Sequence, residues 1–138
     1  MVIADTGFWL ALANRRDGDH AAAVQALARL NEPLICTWPV MTEACHLLLN
    51  RLGRLAQERF LDNYRDGGFR VFDLQHAHAP RILELMQRYR DLPMDLADAS
   101  LVVLAEDLGD GRILSTDRRD FSADRWKNRQ PFQNLLDI

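Results

Sequence analysis

Four acidic residues stand where the chain passes between predicted secondary-structure elements. Asp5 ends the first predicted strand, and Asp117 follows the fourth. Glu43 lies in the first turns of the helix after the second strand, and Asp98 lies at the start of the helix before the fourth. In an open parallel sheet, ligands bind beyond the carboxyl ends of the strands, near the point where the strand order reverses. We therefore expect the four carboxylates to share one site, without lysine, histidine or cysteine.

Such an oxygen-only site suits Mg²⁺ or Mn²⁺, whereas zinc prefers imidazole or thiolate ligands. Like charges that lie close together raise one another's pKa and destabilise the fold unless a cation neutralises them. One or two divalent ions can polarise a phosphodiester, acidify a bound water and stabilise the leaving oxygen. The expected reaction is metal-dependent phosphodiester hydrolysis, in which Asp117 or Glu43 is a candidate to orient or deprotonate the water.

Each acid also has a purely structural interpretation. Asp5 is placed to cap the helix that follows it, and Asp117 is placed to close an Asx turn. Glu43 can complement a helix dipole, while Asp95 and Asp98 fit an N-cap and its N3 partner. The coincidence of four such acids at one edge of one sheet favours the metal site.

Short apolar runs alternate with longer helical patterns, and these elements must position the acids. The strands are predicted at 2–4, 34–37, 69–74 and 112–115, with a fifth edge strand at 132–138. The helices are predicted at 7–14, 20–30, 39–52, 55–64, 79–89 and 96–108. Strands separated by helices indicate βαβ crossovers. The predicted fold is a three-layer α/β/α domain with a mostly parallel four- to five-stranded sheet.

Composition limits the class of protein. A chain of 138 residues is typical of one compact domain, so we expect residues 1–138 to form a single domain. The net charge of -3 disfavours a polybasic nucleic-acid binder but leaves a locally basic rim open. Two cysteines, Cys36 and Cys45, are too few for a disulfide scaffold. Neither a signal peptide nor an apolar run of about 18 residues is evident, so we expect a cytoplasmic protein without membrane contact.

Four segments resemble the successive motifs of a known family. They are VIADTGFWLALAN from Val2, TWPVMTEACHLL from Thr37, DLPMDLADASLVVLAEDLG from Asp91 and RILSTDRRDF from Arg112. Together they resemble PIN-domain ribonucleases, specifically the VapC-type toxins of bacterial toxin–antitoxin pairs. The resemblance extends from Val2 to about Phe121 and preserves the order and spacing of the motifs.

By this resemblance, Asp5, Glu43 and Asp98 correspond to the family's metal-binding acids, and Asp117 corresponds to its less uniform fourth acid. The resemblance also indicates secondary positions beside these acids, namely Thr6, Ser115, Thr116 and Asp120. Asp95 does not belong to the family's minimal pattern, and we expect it either to cap the helix or to support the site from behind the first four acids. Four arginines flank the predicted site and are either ligands for RNA phosphates or solvated loop charges; they are Arg15, Arg16, Arg118 and Arg119.

The resemblance implies an endoribonuclease that requires Mg²⁺ or Mn²⁺, is held inactive by a cognate antitoxin and forms a homodimer. Apolar residues on the two helices after the second strand are expected mainly in the core, and any that are exposed become candidates for a partner surface. These residues are Met41, Leu47, Leu48, Leu52, Leu55 and Phe60. Trp9 and Trp38 adjoin core runs and are predicted to pack, which leaves Trp126 as the best candidate for an exposed base-stacking ring.

Three other functions have to be weighed. A housekeeping RNA-processing nuclease of the same fold would carry the same acids, and a noncatalytic metal-binding or protein-binding module would retain the fold without turnover. A phosphotransfer domain is disfavoured, because Gly7 stands where a haloacid-dehalogenase-like phosphatase has a second aspartate. A receiver domain would need a lysine after a late strand, and the single lysine, Lys127, lies well beyond Asp117.

Overall fold

Five short parallel strands form the central sheet of the protein. The computed structural model describes residues 1–92, 94–117, 125–128 and 130–137. The strands in chain order are β1 (Val2–Ala4), β2 (Leu34–Thr37), β3 (Arg70–Phe72), β4 (Arg112–Leu114), β5 (Arg125–Trp126), β6 (Gln130–Pro131) and β7 (Gln133–Asn134). The sheet order is β3-β2-β1-β4-β7, and each neighbouring pair is parallel. Strands β5 and β6 form a separate antiparallel pair.

Within the described residues, six α-helices flank the sheet. They are α1 (Thr6–Ala13), α2 (His20–Arg29), α3 (Trp38–Leu52), α4 (Arg54–Arg65), α5 (Ala79–Arg88) and α6 (Leu96–Leu108). Helices α1 to α4 pack on one another, and α5 packs on α6. Because βαβ crossovers are right-handed, the path from β1 through β2 to β3 places α1–α4 on one face, and the return to β4 places α5 and α6 on the other. The three-layer prediction is therefore confirmed.

The strand order of the sheet reverses at β1. From β1 the chain moves outward to β2 and β3, and it then returns to add β4 on the other side of β1. In an open α/β sheet such a reversal opens a crevice at the carboxyl ends of the two strands. Residues that follow β1 and β4 are thus placed at the mouth of the same crevice.

Local sequence signals fix the helices that bound this crevice. The Asp5 side chain caps α1 by accepting a hydrogen bond from the Phe8 N–H at 3.0 Å. Asp95 and Asp98 form a capping box at the start of α6. Helix α6 stops at Gly109, which adopts the left-handed conformation with φ of 66°.

The core lies mainly between the sheet and α1–α4. Every residue of β1 and β2 is buried, as expected for central parallel strands that are covered on both faces. The rings of Trp9, Phe60 and Phe69 pack with centroids 4.5 to 5.3 Å apart. A smaller cluster on the other face joins Leu85 of α5 to Val102 of α6.

The edge strand differs from its prediction. The apolar character of residues 132–138 predicts a strand throughout, but only Gln133–Asn134 pairs with β4. Leu135–Asp137 instead forms a 3₁₀ turn that buries Leu136 in the core. A short edge strand limits the unpaired backbone that is open to another chain. Ile138 lies outside the described residues.

None of the helices formed by the described residues is long and apolar enough to cross a membrane.

Candidate active site

A cleft of about 220 Å³ opens beyond the carboxyl ends of β1 and β4. Its polar wall is formed by Asp5, Glu43, Asp98 and Asp117, together with Thr6 and Thr116. Its apolar wall consists of Leu10, Val40, Leu47 and Leu101 with two small residues, Gly7 and Ala97. The structure thus brings the four predicted carboxylates together in one cavity.

Each acid reaches the cleft from a different element. Asp5 follows β1 directly, and Asp117 lies three residues beyond Leu114, the last residue of β4. Glu43 lies on α3, whose N-terminus directly follows β2. Asp98 is the third residue of α6. The strand-to-helix turns therefore gather side chains that are up to 112 positions apart in the sequence.

Ser115 connects two of the acids. Its buried hydroxyl donates a hydrogen bond to Asp5 Oδ2 and accepts one from the backbone N–H of Asp117 at 3.0 Å. A serine hydroxyl has one proton to donate and lone pairs to accept with, so both contacts are satisfied at once. Ser115 therefore fixes the Asp5 carboxylate relative to the loop that carries Asp117.

Asp5 is the most deeply buried of these acids, with only 6% of its surface exposed. The pKa of Asp5 is raised from 3.8 to about 6, mainly by burial and to a smaller extent by the nearby carboxylates of Asp117 and Glu43. The hydrogen bonds from Ser115 and from the Phe8 N–H oppose this rise in pKa. Desolvation and like charge thus make the ionised form of Asp5 costly unless positive charge is nearby.

The donor atoms of the cleft fit a hard divalent cation. They are carboxylate and hydroxyl oxygens, which Mg²⁺ and Mn²⁺ prefer. Among the residues that the structure describes, however, no three His, Cys, Asp or Glu side chains converge as a ready-made ligand cage. Mg²⁺ is usually held by one or two carboxylates and keeps several waters, so it does not require such a cage. The arrangement fits one ion, or two, with water completing the coordination.

The structural interpretation of Asp95 is supported by its contacts. Its Oδ1 accepts a hydrogen bond from the Asp98 N–H at 2.8 Å, and Asp98 Oδ2 receives the Asp95 N–H at 3.4 Å. Asp95 is exposed and lines the neighbouring groove rather than the cleft. It therefore orients the start of α6, and with it Asp98.

Two of the four arginines that were predicted to flank the site, Arg15 and Arg16, are not brought to it. Arg15 and Arg16 are exposed and do not line the cleft. They follow α1, whose eight residues span about 12 Å from the N-terminus at the cleft. Arg118, Arg119 and Asp120 lie outside the described residues.

The apolar positions on α3 and α4 divide between core and surface. Met41, Leu48 and Phe60 are buried, as predicted for core residues. Leu47 is partly buried and forms part of the cleft wall. Leu52 and Leu55 are 38% and 59% exposed, which leaves an apolar surface at the α3–α4 junction.

Asn134 is a supporting residue that sequence reasoning missed. Its Nδ2 donates to the Ser115 carbonyl at 2.8 Å, and its Oδ1 accepts from the Ser115 N–H at 3.2 Å. The same Oδ1 accepts the Leu136 N–H at 3.1 Å. Asn134 therefore holds the backbone of the residue that orients Asp5. No local pattern signals this contact, because 19 residues separate the two partners.

Gly7 is a second missed residue, and its small size is required by packing. A Cβ atom at this position would lie 1.9 Å from Thr116 Oγ1 and 3.6 Å from Asp5 Oδ1. With the Thr116 side chain in the conformation that the structure shows, only glycine allows α1 to begin this close to the loop after β4. The glycine directly after the Asp5–Thr6 pair is the one sequence feature that hints at such a close approach.

The tryptophans are arranged differently from the prediction. Trp9 packs in the core as predicted, but Trp38 is 44% exposed. Trp126 is only partly exposed, and its ring packs against Gly111 while its indole N–H donates to the Pro131 carbonyl at 3.2 Å. Trp38 differs from Val40 and Met41 of the same turn, which are buried, because it lines an open groove.

Comparisons with known proteins agree in sequence and in fold. The PIN domain family matches residues 2–125. Ribonuclease VapC26 of Mycobacterium tuberculosis is 30% identical over 122 residues, which cover 88% of this chain and 90% of that protein.

Two solved structures share the fold at lower sequence identity. The crystal structure of Mycobacterium tuberculosis VapC20, a sarcin-ricin loop cleaving toxin, matches with a TM-score of 0.80 at 21% identity and covers 86% of this chain and 92% of its own. A toxin–antitoxin complex from Klebsiella pneumoniae contains a chain that matches with a TM-score of 0.64 at 20% identity, covering 89% and 92% respectively.

Proposed function

Because the chain belongs to the PIN-domain family, among its VapC-type ribonucleases, we propose that it is a Mg²⁺- or Mn²⁺-dependent endoribonuclease and the toxin of a toxin–antitoxin pair. One observation gives this proposal its main support. Asp5, Glu43, Asp98 and Asp117 line a single cleft at the point where the strand order reverses. The matched ribonuclease and toxins support the choice of RNA as substrate.

Asp5, Glu43 and Asp98 would hold the proposed ion, directly or through its bound waters, with Asp117 at the exposed rim of the cleft. A bound divalent ion supplies Lewis-acid polarisation of the phosphodiester and a more acidic water. Ser115 keeps one oxygen of Asp5 fixed while the Phe8 N–H holds the other. The Asp5 carboxylate is thereby pre-oriented, which reduces the reorganisation that binding the ion and the RNA would need.

Asp117 is suited to a different role from that of Asp5. It is exposed at the mouth of the cleft, and the contact between its backbone N–H and Ser115 Oγ fixes its main chain. A carboxylate in this position can accept a proton from the attacking water or orient that water toward phosphorus. Glu43, which is partly buried on α3, is the alternative for this task.

The decisive test is cleavage of a mixed cellular RNA pool by the purified protein, with Mg²⁺ or Mn²⁺ and with EDTA. Asp98→Asn is the test variant, because an amide retains the cap of α6 but removes the charge. Asp107→Asn is the matched control, since it makes the same change at an exposed position at the other end of α6. We expect discrete products that require both the metal and Asp98, and no loss with Asp107→Asn.

Cleavage by folded Asp98→Asn at the wild-type rate, or equal cleavage in EDTA, would overturn the proposal. A wild-type protein that binds metal but cleaves no RNA would favour the noncatalytic binding module. The products that appear would also separate a toxin with few targets from a housekeeping nuclease.

The proposed partner is a cognate antitoxin, as in the Klebsiella pneumoniae complex, and the chain is proposed to form a homodimer. The apolar surface around Leu52 and Leu55 is a candidate contact for either partner. Inhibition of RNA cleavage by the product of an adjacent reading frame is the test of the antitoxin. A frame whose product neither binds the protein nor inhibits cleavage would contradict it.

A further inference from the structure

A wide groove lies beside the acid cleft and is continuous with it. The groove has a volume of about 560 Å³, within the range of about 300–1,000 Å³ that is typical of small-molecule sites. Glu43 and Ala97 line both the groove and the cleft. A molecule whose reactive group lies at the four acids can therefore extend directly into this groove.

Trp38 presents a fixed aromatic ring to the groove. Its indole N–H donates to Asp73 Oδ1 at 2.9 Å, and the ring of Tyr64 meets it edge-to-face at 5.7 Å and 87°. These two contacts hold the ring although 44% of the residue stays exposed. An exposed ring in one orientation loses little side-chain entropy when another flat group stacks on it.

The charge of the groove selects the kind of group that fits. Its described lining includes the carboxylates of Glu43 and Asp95 and the imidazole of His46, and contains neither lysine nor arginine. The two carboxylates disfavour a phosphate, whereas they can accept hydrogen bonds from a neutral ring with N–H donors. Leu96 supplies apolar surface from α6 and is 48% exposed.

We propose that this groove binds an unstacked base of the RNA, adjacent to the phosphate that is cut, and that Trp38 is the stacking platform. This inference rests on the proposed ribonuclease function. Sequence-selective RNA recognition commonly uses bases that are splayed out and stacked on aromatic side chains. The Trp38 groove therefore sets which single-stranded site enters the acid cleft.

The test combines variants of the protein with variants of the RNA. Cleavage sites in the cellular RNA pool are first mapped by sequencing. A synthetic oligonucleotide that spans one mapped site is then made with an abasic residue at each flanking position in turn. Trp38→Ala removes the ring, Trp38→Phe retains an aromatic ring, and Leu83→Ala is the control at an exposed apolar residue outside the groove.

For the wild-type protein, we expect one flanking abasic substitution to reduce kcat/KM by about fivefold to a hundredfold, as alanine substitutions of stacking residues do. Trp38→Ala should reduce kcat/KM on the intact RNA by a similar factor. For this variant, the same abasic substitution should cause no further loss of kcat/KM. Trp38→Phe should retain part of the effect, and Leu83→Ala should match the wild type. Such non-additivity reports a direct contact, which general damage to the fold would not produce.

The inference would be overturned if the loss of kcat/KM caused by Trp38→Ala simply added to the loss caused by each abasic substitution. A second result would also overturn it: Trp38→Ala changes the oligomeric state in analytical ultracentrifugation while the effects of the abasic substitutions stay as in the wild type. The groove would then serve a protein contact. If the wild-type protein cuts no RNA, the proposed function has failed, and photocrosslinking decides the base site separately. A random-sequence single-stranded RNA that carries 5-iodouracil should crosslink to Trp38, and crosslinks only elsewhere would refute the site.

Discussion

Asp5 combines three tasks in one carboxyl group. It caps α1 through the Phe8 N–H, accepts the Ser115 hydroxyl, and faces the cleft that it shares with Glu43, Asp98 and Asp117. Burial is the main reason that its pKa is raised to about 6, so ionisation of Asp5 costs folding stability in the metal-free protein. Under the proposed function, a bound cation would offset this cost.

The first prediction concerns the pH dependence of stability in EDTA. The folded state binds the Asp5 proton more tightly than the unfolded state does, since its pKa is about 6 against 3.8. Protonation of Asp5 thus stabilises the fold, and this contribution grows as the pH falls. Asp5→Asn removes the titration but keeps a good N-cap residue. We expect the variant to be more stable than wild type by about 2–3 kcal/mol near neutral pH, as an upper bound.

Urea denaturation of both proteins checks this expectation. The stability difference should shrink by about 1–1.5 kcal/mol between about pH 7.5 and about pH 5. Adding Mn²⁺ should raise the stability of the wild type but not that of Asp5→Asn. A variant that is less stable than wild type at every pH would show that Asp5 is mainly a structural residue.

At the scale of elements, the loop after β4 packs closely against the start of α1. Gly7 leaves room for Thr116, while Asn134 of the edge strand holds the Ser115 backbone. The acids thus depend on an edge strand that contributes no side chain to the cleft. Two predictions test this dependence.

Asn134→Ala leaves the N–H and carbonyl of Ser115 without their partner. Buried backbone groups without partners cost about 1–3 kcal/mol, so we expect stability to fall by that amount. Because Ser115 orients Asp5, Mn²⁺ affinity should fall as well, which simple destabilisation of a folded protein does not cause. Gln133→Ala is the control, since Gln133 is the exposed neighbour in the same strand. Unchanged Mn²⁺ affinity in folded Asn134→Ala would contradict the positioning role.

Gly7→Ala replaces the one residue small enough to lie beside Thr116. Alanine improves helix propensity by about 1 kcal/mol, but a Cβ atom 1.9 Å from Thr116 Oγ1 forces that side chain to move. We expect a net destabilisation of about 1–3 kcal/mol, together with reduced RNA cleavage. Gly18→Ala, where the added Cβ meets nothing within 4 Å, is the control in thermal unfolding.

A double variant tests the cause of that loss. Thr116→Ala removes the hydroxyl that clashes, so Gly7→Ala/Thr116→Ala should be more stable than Gly7→Ala alone. If the double variant is no more stable than Gly7→Ala, the strain does not lie between these two residues.

The elements of this fold are largely predictable from the sequence, whereas the contacts between distant elements are not. Buried strands such as Leu34–Thr37 are continuous apolar runs, and α6 carries its own capping box and glycine stop. The acids could be placed because each follows a strand or begins a helix. Asn134 and Gly7 could not, because their roles depend on loops that meet only in the folded chain. Trp38 was assigned to the core because it adjoins the buried run of β2, and the sequence alone does not show that it lines an open groove.

At the scale of the whole molecule, charged residues gather at both ends of the sheet. Four carboxylates line the cleft at the carboxyl end, and a network of ion pairs lies at the other end. There Arg112 donates to Glu32 at 2.8 Å and to Asp110 at 2.6 Å, and Glu32 also receives the N-terminal ammonium at 2.8 Å. Through Glu32, these ion pairs connect the N-terminus before β1 with the first residue of β4.

The fourth prediction follows from this network. Hydrogen bonds from Arg112 and from the N-terminus lower the pKa of Glu32 to about 2 from 4.5. Its stabilisation is therefore complete above about pH 4.5 and is lost as the pH falls toward 2. Glu32→Gln should flatten this part of the acid unfolding curve and leave Mn²⁺-dependent RNA cleavage unchanged. Equal acid sensitivity of the variant and the wild type, measured by circular dichroism, would contradict the assignment.

The most direct test of the metal site is a calorimetric titration of the metal-free protein with Mn²⁺. We expect one or two ions to bind the wild type and Asp107→Asn equally, and Asp98→Asn to bind at least about tenfold more weakly, as loss of a metal-site residue entails. The Mn²⁺ concentration at half-maximal RNA cleavage should match the measured Kd. Wild-type Mn²⁺ affinity in folded Asp98→Asn, or cleavage that is independent of the bound ion, would contradict the assignment of the four acids as the catalytic metal centre.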